Sequence, residues 1–337
     1  MTTPTPQTVT IPPNFTRLVD LAVARNGGAV EEASDDFFAP KERLILLEEP
    51  VSKPGLYTEN GKWMDGWESR RRRIPGNDWC IVRLGLPGRI QGVDIDTRHF
   101  VGNHPPEASL DATHTRSGEQ DNPEWTPILA RVPLKPDSHN FFDVTGSPAC
   151  THVRLNIFPD GGVARLRVFG DVEADWSTVG PDEVIELSCL SRGGAALECN
   201  DEHFGRMMNL LREDHPLNMG DGWETRRRRT PGHDWVIVRL GCAGRLDRIE
   251  IDTTHFKGNY PDRFSVDASL TRSGAETDSS PEWVRILNET KLEPDRQHVF
   301  AELLQRGPFT HARLNIYPDG GVARLRVFGR PTLESGG

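Results

Sequence analysis

The sequence predicts an all-β protein made of two tandem β-sandwich domains of the jelly-roll type, and three observations predict it. The chain is written twice: Asp65 to Trp79, DGWESRRRRIPGNDW, returns as Asp221 to Trp235, DGWETRRRRTPGHDW, with twelve of the fifteen positions identical. Within each copy, apolar residues alternate with polar ones at period two and the runs end at Gly, Pro, Asn or Asp, as strands between turns do. A helical spacing occurs at most once per copy, near Pro40 to Leu47 and Phe204 to Arg212. Short, evenly spaced strands within about 150 residues suit an antiparallel sandwich.

The repeat sets the domain organisation. Ile95 to Pro105, IDTRHFVGNHP, returns as Ile251 to Pro261, IDTTHFKGNYP, and Pro-Glu-Trp recurs at 123–125 and 281–283. Thr151 to Gly170 returns as Thr310 to Gly329 with eighteen of twenty positions identical. The offset drifts from 156 to 158 to 159, so small loop insertions separate two copies of one domain. The beginnings match more weakly: Gly27-Gly28-Ala29 through Asp35 and Phe38 corresponds to Gly193-Gly194-Ala195 through Asp201 and Phe204, at an offset of 166. The ten extra residues of the first copy fall between Pro50 and Met64, where Lys-Pro-Gly and Glu-Asn-Gly signal turns, and a longer surface loop is expected there. The expected organisation is a disordered tail over 1–17, a first domain over 18–170, a linker over 171–183 and a second domain over 184–330. A unit of that length is a whole domain rather than a solenoid repeat.

Individual strands follow from the alternation. Asp78 to Gly85 sets Trp79, Ile81 and Arg83 against Cys80, Val82 and Leu84, and reads as a strand buried on both faces or nearly so. Val93 and Ile95 alternate with Asp94 and Asp96, and Val153, Leu155 and Ile157 with Arg154 and Asn156. Val163 to Phe169 alternates again after Pro159-Asp160-Gly161-Gly162. Asp160-Gly161-Gly162 and Asp319-Gly320-Gly321 read as tight turns chosen for backbone conformation. Trp67, Trp79, Trp125 and their partners Trp223, Trp235 and Trp283 read as core or domain-interface residues.

Composition excludes several functions. A chain of 337 residues suits two domains. Eight Trp and fourteen Phe argue against global disorder. Forty Lys and Arg against fifty Asp and Glu give a net charge of −10, which disfavours non-specific binding to nucleic acid or membrane. No apolar run approaches the ~18 residues of a membrane span. Met1 to Pro13 lacks the basic start and apolar centre of a signal peptide, so a soluble, cytoplasmic protein is expected. Cys80, Cys150, Cys189, Cys199 and Cys242 form an odd set with no Cys-x-x-Cys and no Cys/His cluster, against a disulfide framework or structural zinc.

The blocks SDDFFAP at Ser34 to Pro40, DGWESRRRR with PGNDW, IDTRHFVGN and RLNIFPDGGVARLRV, arranged in tandem, resemble the allantoicase family, and the resemblance covers nearly the whole chain. It implies two jelly-roll sandwiches of the galactose-binding-domain-like kind. It also implies an amidinohydrolase, a hydrolase acting on a carbon–nitrogen bond in a linear amidine, which converts allantoate to (S)-ureidoglycolate and urea in purine degradation through allantoin. The expected partner is the small molecule allantoate, with no nucleic acid and no membrane, and the chain is expected to form a homo-oligomer.

Allantoate carries one carboxylate and two ureido groups on one carbon, so an enzyme for it needs a cation, amide or carboxylate partners, and a group that moves protons. Arg70, Arg71, Arg72 and Arg73, repeated as Arg226, Arg227, Arg228 and Arg229, offer the cation, because a guanidinium holds a carboxylate bidentately. In an extended segment Arg70 and Arg72 face one way and Arg71 and Arg73 the other. Asp96 with His99, and Asp252 with His255, are the first choice for acid–base work, since imidazole titrates near neutrality and a carboxylate can fix its tautomer. The loops that follow carry Asn103 and Asn259, candidates for binding substrate. Glu68 and Glu224, with Asp65 and Asp221, either accept ureido N–H bonds or neutralise the arginines, and neutralisation is the favoured expectation. No His-x-x-x-His, His-x-His or carboxylate cluster stands out, so no metal ligands are assigned, no cofactor is certain, and a requirement for a divalent ion stays open. The alternatives are a non-catalytic tandem module that binds a carbohydrate or another ligand, and a purely structural oligomer. A paired arginine run suits an anion better than a neutral sugar.

Overall fold

The computed structural model describes residues 12–115, 123–180, 182–271 and 282–332. The chain divides into two compact units, Met1–Glu173 and Ala174–Gly337. The first contains β1 (Val19–Asp20), β2 (Ala29–Ala33), β3 (Tyr57–Thr58), β4 (Gly61–Lys62), β5 (Trp67–Glu68), β6 (Asp78–Asp96), β7 (Glu107–Thr113), β8 (Thr126–Pro133), β9 (Phe141–Asp143), β10 (Ala149–Phe158), β11 (Gly162–Val163) and β12 (Arg165–Val172). The second contains β13 (Ile185–Glu186), β14 (Ala195–Cys199), β15 (Trp223–Glu224), β16 (Asp234–Asp252), β17 (Arg263–Ser269), β18 (Val284–Lys291), β19 (Gln297–Phe300), β20 (Phe309–Tyr317), β21 (Gly321–Val322) and β22 (Arg324–Pro331). Among the described residues there is no α-helix, and no helix is long and apolar enough to cross a membrane.

Each unit is a jelly-roll sandwich organised by one strand of 19 residues. The first half of β6 pairs with β10 on one side (Val82 opposite Val153) and with β2 on the other (Val82 opposite Val30). Its second half pairs instead with β12 (Val93 opposite Val168) and β9 (Val93 opposite Phe142). The strand therefore belongs to both layers, β2-β6-β10-β7-β8 and β9-β6-β12-β1. Sequence reading separates Asp78–Gly85 from Val93–Asp96; the structure joins them, because the chain crosses from layer to layer without leaving the extended state. It also corrects the burial. Cys80, Val82 and Leu84 are buried on one face while Trp79 and Ile81 are half-buried and Arg83 is exposed, since only one face of each layer meets the core. In the second unit β16 repeats the arrangement with β20, β14, β22 and β19.

The segments expected to be helical are single turns of 3-10 helix, Lys41–Ile45 and Met207–Leu211, which bury Leu44 and Ile45, and Met207, Leu210 and Leu211. The expected tail over 1–17 is folded at its end: Asn14–Arg17 forms a 3-10 turn that buries Phe15 against Phe141 and Phe169 at ring-centroid distances of 6.2 and 5.8 Å. Gly92 is required there, because a Cβ would fall 2.4 Å from the Phe15 ring. Residues 1–11 and Pro181 of the expected linker lie outside the described residues, as does Pro281 of the repeated Pro-Glu-Trp. Trp67 and Trp223 are fully buried and donate Nε1–H to the carbonyls of Asp35 and Asp201. All five cysteines are free thiols, and burial pushes Cys150 and Cys189 up to about 12, which removes them as nucleophiles at neutral pH.

The loops over the core hang on one buried guanidinium per unit. Arg165 is 1% exposed. Its Nε donates to the Glu48 carbonyl, Nη1 to the carbonyls of Ala164 and Asp65, and Nη2 to Asp65 Oδ2 at 3.2 Å. Arg324 repeats each bond with Asp214, Ala323 and Asp221. Removing one member of a buried pair leaves the other charge uncompensated, so Arg165→Ala should destabilise the first unit by roughly 3–5 kcal/mol. Urea denaturation of the variant measures the effect; a loss under about 1 kcal/mol would contradict this role.

Candidate functional site

The arginine run lies in irregular backbone between β5 and β6, not in a strand, and its side chains divide by parity. Arg70 Nε donates to Asp35 Oδ2 at 2.7 Å and lies over the Phe37 ring; Arg72 Nη1 donates to buried Asp78 Oδ1 at 2.6 Å. Arg226 and Arg228 pair with Asp201 and Asp234 in the same way. The Arg72 and Arg228 amides also donate to Asp160 and Asp319, so those aspartates anchor the run as well as shaping a turn. Arg71, Arg73, Arg227 and Arg229 are exposed and make no ion pair or hydrogen bond among the described residues. The even-numbered arginines hold the loop, and the odd-numbered ones are left unpaired among the described residues.

The glutamates do not neutralise this run. Asn103 Nδ2 donates to Glu68 Oε1 at 2.7 Å, and Asn259 forms the same bond with Glu224. Neither carboxylate forms an ion pair with an arginine among the described residues. Burial pushes Glu68 above the usual carboxylate range, against the opposing pull of the Asn103 bond and the Lys62 charge. The pair is positioned by backbone: Glu68 bridges Ala39 and pairs with Gly162, while the Gly162 amide donates to the Asn103 carbonyl. At Gly161, with φ 141°, a Cβ would lie 2.8 Å from that same carbonyl, so the turn must be glycine for the two loops to meet. Beside Asn103, the His104 ring has a buried Nδ1 with no partner among the described residues. Asp65 and Asp221 serve Arg165 and Arg324 instead of the run.

Asp96 and His99 stand close in sequence but are not hydrogen-bonded to one another. Asp96 is 1% exposed and accepts from the Arg98 guanidinium and the Arg98 amide. His99 adopts a left-handed backbone at φ 71°, with its amide held by Asp137 and its Nε2 3.0 Å from the Pro50 carbonyl. His255 repeats this at φ 73° with Asp295 and Pro216. Nε2 facing a carbonyl must carry the proton, which leaves Nδ1 as the basic nitrogen. Such a conformation costs a β-carbon-bearing residue of the order of 1–2 kcal/mol, so its recurrence marks a constrained position.

Glu49, Asp96 and His139 bring one ligand atom each within 4.8 Å of one another. The donors do not fit a divalent cation, because the Arg98 guanidinium already lies between Glu49 and Asp96. Thr254 replaces Arg98 in the second copy, and Gln297, rather than a histidine, faces Asp252. His139 instead bonds Asp94 at 2.6 Å, which raises the imidazole's pKa.

Sequence reading passed over one repeated polar network on the outer face of each sheet. Arg154 and Asn156 donate to Asp111, with Arg154 over the Trp125 ring. Arg313 and Asn315 donate to Asp267, whose carboxyl is held below the usual range by Arg285, Arg313 and Asn315 despite its burial. The signal was available in the repeated Arg-Leu-Asn alternation, but nothing in it distinguishes a ligand site from a satisfied structural network.

A family model described as the allantoicase repeat matches residues 19–173 and 185–332. A probable allantoicase of Pseudomonas aeruginosa is 50% identical over 324 residues, covering 95% of this chain and 98% of that protein. A probable allantoicase of Burkholderia mallei is 50% identical, covering 94% and 96%. The crystal structure of allantoicase from Saccharomyces cerevisiae is 34% identical with a TM-score of 0.77, covering 92% of each chain. A second allantoicase structure is 34% identical with a TM-score of 0.79, covering 93% of each chain.

Because burial raises the Glu68 pKa, the folded state binds its proton more tightly than the unfolded chain, and stability falls as pH rises through the raised value. Glu68→Gln keeps an acceptor for Asn103 and removes that penalty. The variant should therefore match wild type at acid pH and exceed its stability at neutral pH, as read by denaturation at both. A variant less stable at neutral pH would reverse the assignment.

Proposed function

The chain belongs to the allantoicase family, and from that premise we propose that it hydrolyses allantoate to ureidoglycolate and urea in purine degradation. The bond from the central carbon to one ureido nitrogen breaks and a bond from that carbon to a water oxygen takes its place; one proton of the water ends on the departing nitrogen, which leaves as urea, and the hydroxyl stays on the carbon. The carboxylate and the second ureido group stay on the carbon. Urea release from allantoate by the purified protein is the direct test; a stable, folded protein that releases none would overturn the reading.

The observation that carries the site assignment is the repeated Glu–Asn pair free of arginine. Glu68 is read as the group that holds and moves a proton, because a carboxyl raised towards neutrality is a better general acid than an ordinary one; Glu224 is its counterpart in the repeat, with the same asparagine partner. Asn103 and Asn259 orient them and accept or donate to ureido groups. The carboxylate anchor is read as an arginine without a protein partner, from Arg71, Arg73, Arg227 and Arg229. A second reading for proton transfer keeps His99 and His255, supported by the Nδ1 that each leaves without a hydrogen bond among the described residues. The net charge of −10 supports a small-molecule partner over nucleic acid, and a cytoplasmic homo-oligomer remains part of the reading.

Three outcomes are expected. Arg71→Ala with Arg73→Ala, or the corresponding pair in the second copy, should weaken allantoate binding by roughly 2–5 kcal/mol where the ligand charge becomes unpaired; unchanged kinetics in all four would move the anchor elsewhere. Glu68→Gln with Glu224→Gln should lower kcat by about 10²–10⁴-fold and remove the limb of the pH–rate profile on which activity falls as pH rises through the raised Glu68 pKa. His99→Gln with His255→Gln should leave that limb in place. The opposite pattern in the two double variants would transfer proton transfer to the histidines.

A further inference from the structure

The polar network on the outer face recurs in both units, but only the second unit adds ionisable side chains to it. In each, one aspartate accepts from an arginine and an asparagine: Asp111 from Arg154 and Asn156, Asp267 from Arg313 and Asn315. On the strand opposite that aspartate the first unit has Pro127 and the second has Arg285, whose Nε donates to Asp267 Oδ1. Phe158, which lies under the Arg131 guanidinium at 4.1 Å, becomes Tyr317, whose hydroxyl is 3.0 Å from Ser265 Oγ. Asn77 becomes His233, which packs on the Tyr317 ring at a centroid distance of 4.7 Å. The first unit forms the same sheet with Asn77, Pro127 and Phe158, so the fold does not require the three residues of the second.

Hydrogen bonds gather these side chains around one amide. Asn315 Nδ2 donates to Ser265 Oγ at 3.2 Å and to Asp267 Oδ2 at 2.9 Å. That orientation turns Asn315 Oδ1 to His233 Nε2 at 3.2 Å, so Nε2 carries the imidazole proton and Nδ1 is an acceptor, with no partner among the described residues. Arg285, Arg313 and Tyr317 each lie two hydrogen bonds from Asn315. The charges there do not balance. Asp267 alone pairs with both Arg285 and Arg313 among the described residues, whereas Asp111 serves Arg154 only. One guanidinium is in excess. Arg313 Nε is buried without a partner among the described residues, where Arg154 Nε bonds Asp111 at 3.2 Å. Arg285 bonds Asp267 through Nε and keeps 38% of its side chain exposed, which leaves terminal N–H groups for a further acceptor.

We propose that His233, Tyr317 and Arg285 form a binding site on the outer face of the second unit for a small carboxylate that carries a ureido group. The excess guanidinium charge takes the carboxylate, whose plane matches the guanidinium fork. His233 Nδ1 accepts a ureido N–H, and the ligand lies against the Tyr317 ring on which the imidazole packs. A ligand with only one of the two groups satisfies only one end of the site. The site shares no residue with the Glu–Asn pairs, and its occupation does not depend on the hydrolase reading.

The test uses the full chain labelled with 15N-histidine, with the His233 signals identified by their loss in His233→Asn. Three probes are titrated: ureidoacetate, which joins a ureido group to a carboxylate, acetate, and N-methylurea. Ureidoacetate should shift the His233 Nδ1 resonance saturably, and acetate and N-methylurea should each need at least tenfold more for half-saturation. Arg285→Met leaves Asp267 with the partners that Asp111 has, and should raise the ureidoacetate half-saturation tenfold or more. Arg285→Lys, which keeps the charge without the fork, should fall between Arg285→Met and wild type. A His233 resonance that ureidoacetate does not move would overturn the site. So would equal half-saturation in wild type and both Arg285 variants, or equal half-saturation for acetate and ureidoacetate. Binding is read here without turnover, so failure of the site and failure of allantoate hydrolysis are distinguished.

Discussion

Each unit depends on burying one arginine inside a β-sandwich. A guanidinium out of water is tolerated only when its donors are matched, and Arg165 matches them with three backbone carbonyls and the Asp65 carboxylate. Those partners come from the segment ahead of the inserted loop, from the residue that closes it and from the start of β12. The arginine therefore fixes the two ends of the loop against the sandwich. Asp65 also accepts the Val51 amide, so one carboxylate serves both the buried charge and the loop's first turn. The second unit repeats this with Arg324 and Asp221.

That constraint explains how a duplicated domain could vary at one place without losing its fold. With both ends held, the intervening chain is free to be short, as at residues 218–220, or to fold back as a hairpin, as at 52–64. Loop length itself costs little when the ends are fixed. What changes is the chain between the anchors: a hairpin in one copy, and in the other a short turn whose Met219 lies against Asn259. The long bent strands β6 and β16 keep the remaining geometry alike, because each commits half of its length to either layer.

Charge is sorted within the arginine run by the same need to satisfy buried groups. Asp78 and Asp234 are almost fully buried and take Arg72 and Arg228; Asp35 and Asp201 take Arg70 and Arg226. Four arginines per copy thus become two that are paired with aspartates and two without a partner among the described residues. Glu68 follows the opposite course. It stays without a guanidinium although four lie within a few residues in sequence, and burial then leaves it with a raised pKa. A group kept in that state at a cost in stability is the kind of group that function retains.

The sequence by itself determined the architecture. Period-two alternation and a duplicated block of twenty residues require two like β domains, and parity alone separates Arg70 and Arg72 from Arg71 and Arg73. It also made the apolar positions of each strand legible, since burial on one face leaves its record in every second residue. Which polar groups meet was decided by the tertiary structure. Asp96 and His99 are three residues apart yet turn to different partners, Arg98 and the Pro50 carbonyl, because the backbone between them reverses. Glu68 and Asn103 are thirty-five residues apart and share a hydrogen bond. The inserted residues pair as a hairpin and seat Asn60 on the Phe37 carbonyl, a contact across twenty-three residues. Hydrophobic periodicity is a local property that a linear string preserves, whereas the pairing of charges depends on loop ends set by a buried arginine from a distant strand.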